Sequence, residues 1–458
     1  METTISYWPL IVLLIGTLAV VLFIVVLRFH AFIALMLGAI LVGILGQTTP
    51  EGANTWILAV ENSMKEFGVT AGKVSFVIAI ASVLGIALTE SGAAERIVNQ
   101  LIKIFGEARA DIALLVAGFI LSIPVFFDTV FFLLVPLAIA LAHKTGKNFP
   151  LFVMAIGCGA VITHSVVPPT PGPLLMAEDL NLDMGFVILV GVLSGIIPAY
   201  VGYKYSQYQN TNIKVAPPDF TGSDDSNKAI ALPSFFASML PILLPLLLII
   251  SASAVNMFME ERNDFFTQAI SFIGNKNIAM FLGLLIALYL WATQRNLSLK
   301  ALGEKMERPL EIAGLIILIT AAGGAFGAMI RNTGIGEMIQ ALSANGFSIN
   351  LVVVAWLMAA VVKFAQGSST VAIITTAGIM SALSSGTPLP FHPIYIFLAI
   401  GYGAMVGSWM NDSGFWIVGK LSGMTEQQTL KVWTLLLAVI GVVGGVQALV
   451  MSYLFPLV

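Results

Sequence analysis

Apolar residues run along this chain in long blocks, and the polar residues gather in the short intervals between them. The blocks fall near 8–27, 31–47, 75–90, 112–142, 150–176, 186–203, 232–256, 277–293, 310–330, 351–386, 393–417 and 432–455. Trp8 to Leu27 and Leu232 to Ile250 hold no charge and are long enough to cross hydrocarbon as helices. Two blocks break the pattern. The 112–142 stretch exceeds one span but falls short of two, which need roughly 40 residues. It carries Pro124, Asp128 and Pro136. The 351–386 stretch has Lys363 and Gln366-Gly367-Ser368-Ser369-Thr370 at its centre. Both predict a re-entrant helical hairpin, entering and leaving on one side. Such irregular backbone survives at membrane depth only where protein or a water-filled cavity covers it. The expected fold is an all-α polytopic membrane protein with about ten full spans and two hairpins.

Composition agrees. The 458 residues are 58% hydrophobic and 10% charged, against roughly 25% charged in soluble domains. No basic region precedes the first block, and apolar segments continue to the last residue, which predicts a span rather than a cleaved leader. The net charge of −3 says little by itself, and no nucleic-acid partner is expected. The single cysteine, Cys158, lies between Gly157 and Gly159 and reads as a small packing residue. No His/Cys spacing suits a metal, no phosphate-binding loop is present, and neither a cofactor nor a metal is expected.

Charge position gives the orientation. With the N-terminus outside, fifteen Lys and Arg residues fall in inner loops, five in outer loops, and Lys363 in a hairpin. That excess predicts both termini outside and a cytoplasmic-membrane location.

The chain also matches itself once. Thr89-Glu90-Ser91-Gly92 is echoed by Arg331-Asn332-Thr333-Gly334, and Thr170-Pro171-Gly172 by Asp412-Ser413-Gly414, each 242 positions apart. Ala155-Ile156-Gly157-Cys158-Gly159-Ala160 returns as Ala399-Ile400-Gly401-Tyr402-Gly403-Ala404. The topology makes the two copies inverted: 1–206 with hairpin 112–142 and unwound span 150–176, and 232–458 with hairpin 351–386 and unwound span 393–417. Segment 207–231, with Pro217, Pro218 and Gly222, reads as a cytoplasmic linker. Duplicated, interrupted helices are the usual construction of secondary transporters.

Four segments break helix inside the membrane: Pro124 to Thr129, His164 to Pro173, Gln366 to Thr370, and Ser408 to Gly414. Four prolines in six residues, Pro168 to Pro173, cannot continue a helix. Each break leaves amides and carbonyls unpaired, at several kcal/mol per group in lipid. Half-helix N-termini and Ser/Thr hydroxyls meeting a carboxylate and its hydroxyls would offset that cost.

The string VPPTPGP at 167–173, with PVFFDTVFFLLVP upstream and KFAQGSSTVA and NDSGFW downstream, resembles the gluconate:proton symporter family along essentially the whole chain. The resemblance implies proton-driven uptake of a sugar acid, gluconate first, although carriers of other aldonates and of D-serine belong to the same family. It also implies the ion-transporter superfamily fold, with two unwound helices, a homodimer and an elevator-like motion. The partners are then a small organic anion, protons and the bilayer.

Several residues stand out as candidates. Asp128 is either the proton-coupling group, since ionisable residues at membrane depth are usually functional, or a hairpin-tip cap. Asp412 invites the same reading, although Asn-Asp-Ser-Gly is also ordinary turn chemistry. His164 could titrate, donate to a carboxylate, or simply pack. Lys363 could attract the anion, neutralise Asp128 or Asp412, or snorkel outward. Ser368, Ser369 and Thr370 supply adjacent hydroxyls for a polyol, and Ser165, Thr170, Asn411 and Ser413 are the matching groups on the unwound helices. Gly157, Gly159, Gly401 and Gly403 suit close helix packing. Glu90 and Arg331 read as span ends at the water interface. Sodium coupling remains open, because unwound carbonyls can bind Na⁺. An intramembrane enzyme lacks a catalytic motif here, and a channel would conduct without accumulating.

Overall fold

The computed structural model describes residues 6–46, 55–146, 148–218, 232–258, 265–344, 350–385 and 388–457; the linker residues 219–231 lie outside them. Among the described residues the structure is helical and holds no strand. The first elements are α1 (Trp8–Val25), α2 (Ala31–Gly46), α3 (Thr55–Glu90) and α4 (Ala93–Phe105). Then come α5 (Ala110–Leu121), α6 (Phe127–Thr145), α7 (Phe149–Val166), α8 (Pro171–Asp179), α9 (Met184–Ser194) and α10 (Ile196–Asn212). The second part holds α11 (Phe235–Phe258), α12 (Phe265–Ile273), α13 (Lys276–Arg295), α14 (Leu299–Arg331) and α15 (Ile335–Ala344). It ends with α16 (Leu351–Gln366), α17 (Ser369–Ser384), α18 (Ile394–Gly403), α19 (Ser413–Leu421) and α20 (Glu426–Leu454).

Eight described helices are long and apolar enough to cross a membrane by length and composition, with α7–α8 and α9–α10 each counted as one. Helices α1, α2, α16, α17 and α18 are apolar but shorter. Both odd blocks are divided as expected. In the first, α5 and α6 meet at Ser122 to Phe126, and the Lys144 ammonium at the end of α6 lies 2.6 Å from Glu107, just before α5. The two arms therefore start and finish together. In the second, α16 and α17 flank Gly367-Ser368. The breaks at 167–170 and 404–412 also fall inside the stretches read as unwound.

Three expectations need correction. The span drawn at 75–90 belongs to a helix of 36 residues, and the span drawn at 310–330 to one of 33. At 1.5 Å per residue the first is about 54 Å long. Its early turns carry Glu61, Lys65, Glu66 and Lys73, so hydropathy ends before the helix does. Helix α10 runs to Asn212, six residues into the segment read as linker. Helices α4, α12 and α15 lie in stretches read as loops. In α4 the small and aliphatic residues Ala93, Ala94, Ile97, Val98 and Leu101 are buried and the other side carries Glu95 and Lys103, the pattern of an interfacial helix.

Packing explains why broken helices are tolerated. Helices α7 and α18 are buried along nearly their whole length, so their broken ends face protein rather than lipid. Helix α7 lies against α5, and α18 against α16. A Cβ on Gly159 would fall 2.1 Å from the Leu115 carbonyl oxygen, and one on Gly403 2.4 Å from that of Trp356. These glycines let backbones touch, as their sequence context suggested. Cys158 is buried in the same region. Helices α3 and α14 lie side by side at the centre, with α2 and α13 flanking them. Helix α17 packs along α14, whereas α6 touches α3 only over a short stretch. The space this leaves is the cavity described next.

Candidate functional site

A cavity of about 1060 Å³ collects all four breaks. Its walls include Phe126 to Thr129 of the first hairpin, His164, Ser165 and Pro171 of the first unwound span, Ser368 to Val371 of the second hairpin, and Asp412 to Gly414 of the second unwound span. The first turns of α6, α8, α17 and α19 thus border one space. A helix N-terminus presents unpaired N–H groups and a partial positive charge, so four together favour an anion. The ends differ in how they are capped. Ser368 Oγ accepts from Val371 N at 3.3 Å, and Asp412 accepts from Gly414 N at 3.1 Å. Helices α6 and α8 have no side-chain cap. In α8, Pro171 and Pro173 have no N–H, which leaves Gly172 as the donor in the first three positions.

The expected residues divide into two groups. Asp128, His164, Ser165, Ser368, Ser369, Thr370, Asp412 and Ser413 line the cavity. Thr170, Asn411 and Lys363 do not, and each has a bond of its own. The Thr170 hydroxyl reaches the carbonyl oxygens of His164 and Val167, 2.9 and 3.0 Å away, closing the break from within. Asn411 donates to the Phe364 carbonyl at 2.7 Å.

Asp128 is exposed to the cavity and makes no hydrogen bond or salt bridge with another described residue. The capping alternative does not hold for it: the N-cap of α6 is Phe126, and no side chain caps that end. Asp412 shows the turn chemistry expected of it and one of the pairings open to Lys363. It caps α19 and forms an ion pair with Lys363 at 2.8 Å. Lys363 is fully buried, so it does not snorkel.

His164 and Ser165 each bring a buried polar atom to the cavity wall. Ser165 is fully buried, and both Ser165 Oγ and His164 Nδ1 lack a hydrogen bond among the described residues. Leaving such groups unpaired costs about 1–3 kcal/mol each. Ser369 and Thr370, beside them on the cavity wall, also lack a side-chain hydrogen bond among the described residues. A ligand with a carboxylate and several hydroxyls would find the part-exposed Ser369 and Thr370 hydroxyls on this wall, whereas Ser165 Oγ and His164 Nδ1 lie just behind its surface. No three His, Cys, Asp or Glu side chains among the described residues come together as metal ligands.

Sequence reasoning missed several lining residues. Trp433 donates through its indole N–H to Ser408 Oγ at 2.7 Å, and its ring lies 5.1 Å from that of Phe127. It sits in a π-helical turn, 430–434, which widens α20 locally. Nothing in the local sequence announces that turn. Trp291, whose buried Nε1 has no hydrogen-bond partner among the described residues, lines another wall. The exposed Glu304, Lys305 and Arg308 also line the cavity, with Ile312, Ile316 and Ile319 of the same helix.

A family model, that of the GntP family permease, matches residues 8–454. The chain belongs to this family. It is a permease, not an enzyme. It is 30% identical to the low-affinity gluconate transporter of Escherichia coli K12, over 96% of this chain and 98% of that protein. It is 31% identical to the gluconate permease of Pseudomonas aeruginosa, over 93% of each. Among solved structures it resembles the YdaH transporter of Alcanivorax borkumensis, with TM-score 0.58 and 15% identity, over 99% of this chain and all of that one. That last likeness speaks to the fold alone. This permease is therefore a multi-pass membrane transporter.

Proposed function

We propose that this permease imports gluconate, or a closely related sugar acid, together with protons across the cytoplasmic membrane. The observation that carries the reading is the cavity itself. Four helix N-termini, the Asp128 carboxylate, and the hydroxyls of Ser369 and Thr370, none of these side chains hydrogen-bonded among the described residues, border one space that His164 and Ser165 also line. The names of relatives at about 30% identity supply gluconate. A sugar acid needs donors for its carboxylate and groups that both donate and accept for its hydroxyls, and these walls offer both.

The same reading takes the chain as two inverted repeats, 1–206 and 232–458, with ten full spans and two hairpins. Helix positions support it. Helices α6 and α17 begin at Phe127 and Ser369, α8 and α19 at Pro171 and Ser413, and α4 and α15 at Ala93 and Ile335, each pair 242 positions apart. The segments Met184–Asn212 and Glu426–Leu454 keep that offset at both ends.

An elevator-type displacement within a homodimer belongs to the same reading. In it, the hairpins and unwound spans move past the α3–α14 pair. Two observations support such a movement. Helix α17 packs along much of α14 while α6 meets α3 only over a short stretch, and the cavity reaches Glu304, Lys305 and Arg308 near the start of α14. The charge distribution puts that end in the cytoplasm, so the arrangement is inward-open. The apolar wall of Ile312, Ile316 and Ile319 would offer the polar site a surface without competing hydrogen bonds.

Uptake of labelled gluconate into proteoliposomes tests the site. Ser369→Ala and Thr370→Ala are each expected to raise KM about three- to tenfold, the worth of one hydrogen bond, with a smaller effect on kcat. Unchanged KM in both variants would take the second hairpin out of substrate binding. Absence of saturable gluconate uptake by the unaltered protein would refute the substrate.

A further inference from the structure

Lys363 is fully buried and lies one turn before the break between α16 and α17. Its Nζ donates to Asp412 Oδ2 at 2.8 Å and to the main-chain carbonyl of Gly367. The same Asp412 oxygen accepts the Ser408 hydroxyl, which in turn accepts the indole N–H of Trp433. The other Asp412 oxygen takes Gly414 N. The ammonium therefore sits among a carboxylate and a carbonyl released by a helix break, the kind of oxygen donors that hold small monovalent cations in unwound membrane helices.

For stability alone this pair is poorly explained. Desolvating both charges can cost more than their attraction returns, and an apolar pair of similar volume often serves as well. The first repeat manages without one. At the 242-residue offset, Lys363 corresponds to Leu121, Gly367 to Val125 and Asp412 to Thr170. Leu121 is buried and apolar, and Thr170 bonds only neighbouring carbonyls. A cation is thus built into one break and not into its counterpart. It stands directly behind the cavity wall, because Asp412, Ser413 and Gly414 all line that wall.

We propose that the Lys363 ammonium is a tethered cation. It fills a monovalent-cation site formed by Asp412 and the Gly367 carbonyl, so the second break takes no ion from solution during transport. Shortening the side chain leaves an anionic, oxygen-lined hole that accepts ammonium, methylammonium or sodium. This deepens the proposed function by removing one place where sodium could couple, and it rests on that reading only for its transport arm.

The test uses the full-length protein with Lys363→Ala. Thermal unfolding of purified protein is followed in choline, sodium, ammonium and methylammonium chloride, each raised to ~100 mM. The unaltered protein is expected to respond equally to all four. Lys363→Ala is expected to unfold earlier in choline and to recover saturably with at least one of the smaller cations. Lys363→Ala/Asp412→Asn lacks the carboxylate charge and is expected to lose that dependence. In proteoliposomes, Lys363→Ala uptake in choline should fall about tenfold or more, because the buried carboxylate loses its partner. The recovering cation should restore part of it. Should Lys363→Ala fail to reach the membrane, Lys363→Ser, which also empties the hole, replaces it with the same expectations. A variant blind to cations in its unfolding, or one with full uptake in choline, overturns the proposal. The unfolding arm needs no substrate, so a wrong substrate assignment cannot imitate its failure.

Discussion

Asp128→Asn is expected to abolish accumulation of gluconate against its gradient while leaving exchange of gluconate across the membrane intact. The reason lies in how little else Asp128 does. It faces the cavity and makes no hydrogen bond or salt bridge with another described residue. An amide of the same shape therefore removes the charge without stranding a partner, and folding should survive. Coupling needs a group that gains and loses a proton beside the substrate, and Asn cannot. Entering with one proton, a monoanion crosses as a neutral pair. A pH step of about two units then supports accumulation up to about 100-fold, at about 1.4 kcal/mol per factor of ten. The unaltered protein should approach that ratio and Asp128→Asn should stop near equality. Exchange of internal for external labelled gluconate should continue, because it requires no net proton movement. Full accumulation by the variant would take Asp128 out of the coupling role.

Gly367→Ala is expected to be among the most damaging single substitutions in the second hairpin. Gly367 has φ +90°, which an L side chain rarely adopts. A Cβ there would fall 2.1 Å from the Asn411 carbonyl oxygen and 2.6 Å from its carbon. Both are backbone atoms, so no rotamer change relieves the overlap. The second hairpin would have to move away from the second unwound span. The Lys363 ammonium, carried by the hairpin, would then part from Asp412 of the unwound span. The φ strain alone is worth about 1–3 kcal/mol, before the clash and the damaged ion pair are counted. Uptake should drop at least about 100-fold, with a lower unfolding midpoint or loss of the monodisperse peak in size-exclusion chromatography. Uptake near the unaltered level would mean that the hairpin and the unwound span are not held in this contact.

What the sequence revealed follows the range over which each cause acts. Helix breaks are local. Pro124, Pro168 to Pro173, Gly367 and Asp412 stop or cap a helix through their own chemistry, and the four breaks lie beside those residues. Helix length beyond the bilayer is less visible. The early turns of α3 carry Glu61, Lys65, Glu66 and Lys73, and those of α14 carry Lys300, Glu304 and Lys305. Hydropathy reads such turns as loop, although nothing in them prevents helix. The short helices α4 and α15 escaped for the opposite reason, since a narrow apolar stripe does not make an apolar block.

At the site, residue type could be read but direction could not. Thr170 and Thr370 are both hydroxyls beside a break; Thr370 lines the cavity, while Thr170 turns back to its own carbonyls. Lys363 and Asp412 are 49 positions apart, and their pairing exists only once α16 and the second unwound span meet. Trp433 reaches the cavity wall from within a π-helical turn that ordinary helical periodicity does not anticipate.

The most direct test of the whole account is uptake of labelled gluconate by proteoliposomes in sodium-free buffer, with the interior made alkaline and the membrane potential clamped. The account predicts that gluconate rises well above its external concentration, collapses to equality when a protonophore is added, and is displaced by other sugar acids. Uptake that only equilibrates, or that requires sodium, would contradict it.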